Sequence, residues 1–425
     1  MENYSERLLD KKIEKKLQST GGILLKGVRF CGKTTTAMHH AASFVRLDES
    51  EQIREQATLV PQIVLQGDIP RLLDEWQLVP SIWNAVRSEI DRRSEKGQFI
   101  LTGSTSPSDD ISAHTGAGRI ARLTLRTMSL AESKESIKAV NFNDLFVKNR
   151  QIGGLGGVEI EDYAKLIVRG GMPALINETP EIAQEAMIDY VENIAYIDMR
   201  TLPEPPTPER IAALIRSLSR NISTESSLEK LAAETGISDK SPMAVSTVRK
   251  YLDQLSAIFV LEELPAWKTH IRSSVQQRIK PKWHFVDTSI ATAALRILPT
   301  GLLNDFDAFG LFFESMAIRD LRIYADTLDG KVYHYRDSSG FEIDAIVELP
   351  NETWAAFEIK LGSTKSIDEA ADNLQKLLTR LTPEKAAQCV SLNVLIAGSS
   401  SYTRKDHINV VSLGHFHCLN SETNL

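Results

Sequence analysis

Gly27-Val28-Arg29-Phe30-Cys31-Gly32-Lys33-Thr34 decides the fold of the first part of this chain. It matches Gly-x-x-x-x-Gly-Lys-Ser/Thr at every fixed position. The apolar run GGILLKG leads into it and TTTAMHHAASFV follows it, so the pattern is buried strand, tight loop, helix. The residue types suit one task. Glycines let backbone N–H groups curl round a β-phosphate, and the helix N-terminus adds positive potential. Lys33 would reach the β- and γ-phosphates, and the Thr34 hydroxyl would ligate Mg²⁺. Gly27, Arg29, Cys31, Gly32, Lys33, Thr34 and Thr35 are the candidate nucleotide-binding residues.

A phosphate loop needs an acidic strand end downstream, and Leu72-Leu73-Asp74-Glu75 supplies one. Asp74 would hold Mg²⁺ through water, and Glu75 would polarise the attacking water. The next apolar run, Phe99-Ile100-Leu101-Thr102-Gly103-Ser104, ends in hydroxyls; Thr102 or Ser104 is a candidate γ-phosphate sensor. Arg119, after the small polar loop 107–118, is a candidate for stabilising transition-state charge, in cis or in a neighbouring subunit of a homo-oligomer. Apolar runs alternating with the helical WNAVRSEIDRRS predict a parallel, doubly wound α/β sheet.

The bulk properties set limits. At 425 residues the chain is too long for one ordinary domain. An apolar fraction of 42% and a charged fraction of 25% are those of a globular protein with real cores. Lys+Arg is 49 against Asp+Glu 56, a net charge of −7. A general polyanion binder is thereby excluded, and any DNA contact must come from a local basic face. Cys31, Cys389 and Cys418 show no metal-ligand spacing and read as reduced thiols of a cytoplasmic protein. The charged N-terminal segment does not read as a signal peptide, residues 5–18 read as an amphipathic helix, and no apolar run is long enough to span a membrane.

Four segments are expected: a phosphate-loop domain over 1–157, ending in the glycine-rich linker NRQIGGLGG; a helical segment over 158–222; a winged-helix-like segment over 223–282; and a second α/β domain over 283–425. In the third, a helix from Ser227 closed by Gly236, a helix over Ser246–Leu255 and the extended FVLEELPAW give a helix-turn-helix layout. Arg249 and Lys250, with Lys268, Arg272, Arg278, Lys280 and Lys282, form a candidate phosphate-binding stretch; a helical lid with a solvated basic edge is the alternative. In the fourth, Glu342-Ile343-Asp344 alternates as a half-buried strand, and Phe357-Glu358-Ile359-Lys360 follows the short LPNE turn. Glu358 and Lys360, two apart, share a face. Asp344, Glu358 and Lys360 would make a divalent-metal phosphodiesterase site, with Glu314 on a preceding helix adding a carboxylate. The same acidic residues on a fold kept only for binding are the alternative.

GVRFCGKTT, LLDEWQLVP, FILTGSTSP and GAGRIARLTLRTMSLAE together resemble a large prokaryotic group of AAA-like ATPases whose C-terminal half is related to the PD-(D/E)xK restriction-endonuclease fold. The resemblance runs over nearly the whole chain. It implies an ATPase domain, a winged-helix segment and a nuclease-like domain whose core would fall on Asp344, Glu358 and Lys360, with Ile343 where proline is common. Three functions remain open: an ATP-hydrolysing switch or motor coupled to a DNA-associated nuclease-like domain; a nucleotide-dependent regulatory protein, of defence or toxin–antitoxin type, with an inactive nuclease fold; and a small-molecule kinase, which Glu75 and the lack of a lid motif disfavour.

Overall fold

The computed structural model describes residues 4–103, 116–196, 199, 207–236, 241–268 and 281–418. The chain divides into two compact units. The first is Met1–Thr127 with Ala257–Phe259, and the second is Met128–Ser256 with Val260–Leu425.

The first unit begins with helix α1 (Asp10–Ser19), not at residue 5 as its charge pattern suggested. Arg7 and Asp10 exchange hydrogen bonds in a tight turn that delays the helix. Strand β1 (Gly22–Lys26), helix α2 (Lys33–His40), strand β2 (Ser43–Arg46), helices α3 (Glu51–Leu59) and α4 (Pro61–Leu65), strand β3 (Arg71–Asp74), helix α5 (Ser81–Arg93) and strands β4 (Phe99–Gly103) and β5 (Ile120–Thr124) follow. The sheet order is β2-β3-β4-β1-β5, parallel throughout. The two central strands are apolar runs with little alternation, because both faces are covered. Leu24, Leu73, Leu101 and Phe99 pack beneath Trp76, Trp83 and Val86 in one core. All strands run the same way, so the loops at their C-terminal ends gather on one edge, where such sheets bind ligands.

The second unit opens with β6 (Val140–Asn141) and β7 (Gly153–Leu155), followed by helices α6 (Ile160–Arg169), α7 (Pro180–Tyr196), α8 (Pro208–Arg220), α9 (Leu228–Ala233) and α10 (Val245–Ala257). Pro208 sits at the first turn of α8, where its missing N–H costs nothing. Strands β8 (Leu261–Leu264) and β9 (Lys282–Phe285) form an antiparallel pair. Helices α11 (Thr288–Leu295), α12 (Pro299–Leu303) and α13 (Phe306–Thr327) lead to β10 (Lys331–Arg336), β11 (Glu342–Glu348) and β12 (Trp354–Lys360). Helices α14 (Thr364–Arg380) and α15 (Pro383–Ala387) precede β13 (Cys389–Ile396), β14 (Ser400–Thr403), β15 (Asn409–Ser412) and β16 (Phe416–His417). The larger sheet has the order β10-β11-β12-β13-β15-β14-β7. Strands β10 to β12 are an antiparallel meander, and β13 runs parallel to β12 after the α14 crossover. Ile367, Ala370, Ala371, Leu374 and Leu377 recur at helical spacing on α14 and close one face of this sheet.

Two boundaries differ from the sequence reading. Residues 128–157 belong to the second unit: β6 pairs with β16, and β7 pairs with β14. Gly153–Leu155, inside the stretch read as a linker, instead supplies the edge strand of the larger sheet, because an extended glycine backbone pairs without any side-chain pattern. A buried charge network holds the same segment in place. Arg319 on α13 bonds Asp287 at 3.1 Å and Asp320 at 2.8 Å. Those two carboxylates accept the backbone N–H of Gly171 and Leu130, each at 2.9 Å. Likewise, Lys282–Phe285 pairs with β8, so the line expected at 282 falls inside a hairpin.

Candidate functional sites

The loop Gly27–Gly32 joins β1 to α2 at the sheet's C-terminal edge. Gly27 cannot carry a side chain, since a Cβ there would sit 2.2 Å from the Leu125 carbonyl oxygen. Gly32 turns the chain into α2 at φ 94°, a left-handed conformation that glycine adopts freely. Lys33 is 5% exposed and its Nζ donates to the carbonyls of Gly27 and Val28 at 2.9 and 2.8 Å, folding back across the loop. Cys31 is buried, with Sγ donating to the Leu125 carbonyl at 3.4 Å. Arg29 and Thr35 are exposed.

The Thr34 hydroxyl donates to both Asp74 carboxylate oxygens, at 2.9 and 3.1 Å. Thr102, at the end of β4, also donates to Asp74, and its Oγ1 accepts the backbone N–H of Glu75 at 3.4 Å. Three strand ends thus converge on one buried carboxylate: β1 through its loop, β3 and β4. Thr34 and Asp74 offer oxygen donors only, the set Mg²⁺ prefers, so the residues present fit that ion. Glu75 sits in the left-handed region at φ 55°, partly exposed, with its carboxylate held by the Gln77 amide. A non-glycine residue in that conformation at a strand end is a feature that functional sites share. Ser104 lies outside the described residues.

Sequence reading missed Arg46. It ends β2 in register with Asp74, and its Nε lies 3.8 Å from an Asp74 oxygen while its other arm bonds Asp48 at 3.1 Å. The only sequence signal was a basic residue closing an apolar strand. Arg119 stands elsewhere. It precedes β5 and its carbonyl accepts from Gly22, the first residue of β1, so it lies at the N-terminal edge of the sheet. Four residues of strand, about 13 Å, separate that edge from the loop. Its Nε bonds Asp91 at 2.6 Å on the surface, which removes it from the loop within its own chain.

The second constellation lies on α13, β11 and β12. The β11–β12 register pairs Ala345 with Phe357, and one step further puts Asp344 opposite Glu358. Lys360 Nζ lies 3.1 Å from Asp344 Oδ2 and 2.6 Å from Glu358 Oε2. The Asp344 carboxylate also accepts the Ile359 N–H at 2.8 Å. Glu314, 8% exposed, takes the ammonium of Lys282 at 3.1 Å. Lys282 is therefore no surface phosphate ligand: β9 delivers it into the interior, 4% exposed, against Glu314. Arg249 is exposed and lies 3.7 Å from Asp253, and Lys268 is exposed; Arg272, Arg278 and Lys280 lie outside the described residues.

Burial and the neighbouring Asp344 charge push Glu358 up to about 8, and burial pushes Glu314 up to about 7. Burial acts on Asp344 too, but the Lys360 and Lys282 ammonium groups outweigh it and hold that carboxyl below the usual range. One of two adjacent carboxylates keeps its charge and the other keeps a proton, as like charges in a dry site require. Among the described residues no group of three or more His, Cys, Asp or Glu side chains is arranged to hold a metal ion. In the second constellation the ammonium of Lys360 lies between Asp344 and Glu358, and that of Lys282 lies against Glu314.

Comparison with known proteins bears on the first site. Residues 19–134 match an AAA domain. With the loop and the Asp74 cluster inside it, that match supports a nucleotide-binding P-loop ATPase domain. Residues 160–301 and 309–416 match two models described as domains of unknown function, DUF8612 and DUF4143. Uncharacterized proteins of Mycobacterium bovis and Mycobacterium tuberculosis are each 24% identical over 353 residues, spanning 82% of this chain and 72% of theirs. A Walker-type ATPase of Pyrococcus abyssi is 12% identical, covering 70% of this chain and 97% of its own, at a TM-score of 0.44. DnaA of Aquifex aeolicus bound to AMPPCP is 14% identical, covering 59% and 86%, at a TM-score of 0.27. Among the described residues no helix is long and apolar enough to cross a membrane.

Proposed function

We propose that the chain binds and hydrolyses ATP at the Gly27–Thr34 loop. The observation that carries this reading is the convergence of Thr34 and Thr102 on buried Asp74 beside the loop. Lys33 would exchange its two loop carbonyls for phosphate oxygens, and the N-terminus of α2 would add its dipole. Thr34 and Asp74 would hold Mg²⁺, which neutralises phosphate charge when bound. Glu75 is the base. Its carboxylate lies one residue past Asp74, and the Gln77 amide donates to one of its oxygens, leaving the other to accept a proton from water. Phosphate release by the purified chain tests this, with Lys33→Ala and Glu75→Gln as controls; turnover by both variants at the wild-type rate refutes it.

For the second unit we favour a nuclease-like fold used in a nucleotide-dependent, DNA-associated or regulatory role, not a cleaving one. The order α13, β10, β11, β12, α14, β13, with Asp344 and Glu358 opposed on the central strands, supports the nuclease-like layout. Helices α8 to α10 followed by the β8–β9 hairpin support the winged-helix reading. The pairing of all three carboxylates with Lys360 and Lys282 favours the inactive alternative. Incubation with several DNA forms and Mg²⁺ or Mn²⁺, with and without ATP, decides: Asp344-dependent cleavage overturns the inactive reading.

A further inference from the structure

We infer that Arg7, far outside the nucleotide motif in sequence, is a positioning residue for the phosphate loop. The residue is 6% exposed, and its side chain forks onto two main-chain oxygens. One arm donates to the Cys31 carbonyl at 3.0 Å and the other to the Arg126 carbonyl at 2.7 Å. Cys31 is the last residue of the loop before Gly32. Arg126 follows β5 and adjoins Leu125, whose N–H bonds Lys26 at 2.8 Å and whose carbonyl takes the Cys31 thiol. The guanidinium therefore fastens the loop to the backbone strip beside it. A planar fork makes two such bonds at fixed separation, which a flexible ammonium does not.

Peptide geometry gives this contact a function. The Cys31 carbonyl and the Gly32 N–H belong to one planar trans unit and point in opposite directions. Holding that carbonyl toward Arg7 turns the Gly32 N–H away from it, at the head of α2, where unsatisfied N–H groups recognise phosphate. Arg7 is itself held. Its backbone N–H donates to Asp10 at 2.7 Å, the Tyr4 hydroxyl also donates to Asp10 at 2.7 Å, and Asp10 bonds His40, the last residue of α2, at 2.9 Å. The stretch from Arg7 to Asp10, which leads into α1, thus holds both the loop residue just before the helix that carries Lys33 and Thr34 and the last residue of that helix.

This inference rests on the nucleotide-binding reading, and the test separates the two. Binding of ADP and AMP to the full chain is measured by calorimetry for wild type, Arg7→Ala and Arg7→Lys, with steady-state ATP turnover alongside. ADP carries the β-phosphate that the loop cradles and AMP does not. Arg7→Ala is expected to weaken ADP at least tenfold and AMP less than threefold, and to raise KM about tenfold with kcat within threefold, the signature of lost uniform binding. Arg7→Lys keeps the charge but reaches one carbonyl at a time, so it restores part of the ADP affinity. If Arg7→Ala proves unfolded, Arg7→Lys alone decides, through its ADP to AMP ratio. An unchanged ratio in a folded variant overturns the inference, whether both affinities hold or both fall together. Failure of the wild-type chain to bind ADP overturns the nucleotide reading itself.

Discussion

Replacing Glu358 by glutamine is expected to remove a pH dependence from the second unit. Glu358 is 3% exposed and its carboxyl is raised from 4.5 to about 8. A raised folded pKa means that the native state binds the proton more tightly than the unfolded chain. The contribution of Glu358 is thus fully present below pH 4.5 and is lost as pH rises through about 8. At about 1.4 kcal/mol per unit, the displacement of 8 − 4.5 = 3.5 units sets a ceiling of about 5 kcal/mol. Asp344 and Glu358 share the site and titrate together, so only part of that, on the order of 2 kcal/mol, is expected as a separable effect. In a unit of this size that amounts to a Tm change of roughly 3 °C. Glutamine has the shape of the protonated acid and keeps its hydrogen bonds without ionising. Thermal unfolding followed by circular dichroism from pH 5 to 9 should show wild-type Tm falling across the range and Glu358→Gln staying flatter, with the variant the more stable at pH 9. Parallel curves for the two proteins would refute the reasoning.

Three further outcomes follow from the same geometry. Lys33→Ala should abolish nucleotide binding with Tm within a few degrees of wild type, because the Lys33 ammonium bonds two carbonyls of the loop itself and ties no other element to it; binding by calorimetry and a melt check both halves. Glu75→Gln should keep ADP affinity within threefold while phosphate release falls at least a hundredfold, since an amide does not accept the proton of water. Arg319→Met should cost about 3–5 kcal/mol, because it leaves the buried Asp287 and Asp320 without their cation; urea unfolding of the second unit measures it, and a loss below 1 kcal/mol contradicts the network's role.

The legible parts of this chain are those written in short-range spacing. The phosphate loop is eight consecutive residues, and the strand before it and helix after it follow from adjacent apolar patterns. Asp74 and Glu75 were readable because a strand end is local. The Asp344, Glu358 and Lys360 set was readable because a two-residue period and a short turn bring two strands face to face. The unreadable parts join residues with no local relation. Arg7 reaches Cys31 and Arg126, Lys282 reaches Glu314, and Arg46 reaches Asp74. Arg119 follows the same logic in reverse: it sits just before β5, and the parallel pairing of β5 with β1 puts that end of the strand at the edge opposite the phosphate loop.

By itself, then, the sequence determined that a parallel α/β sheet holds a phosphate loop at one edge, and that two opposed strands elsewhere carry an acidic pair with a lysine. Those features depend on backbone periodicity and turn chemistry, which act over a few residues. Only the tertiary structure decided where the first unit ends and what surrounds each site. Residues 128–157 join the second unit through strand pairing and the Arg319 network, and the carboxylate cluster meets a second lysine from β9. Such contacts are selected by burial: a charge taken out of water is tolerated only where the folded chain brings an opposite charge or a hydrogen-bond partner to it, and that partner can lie anywhere in the sequence.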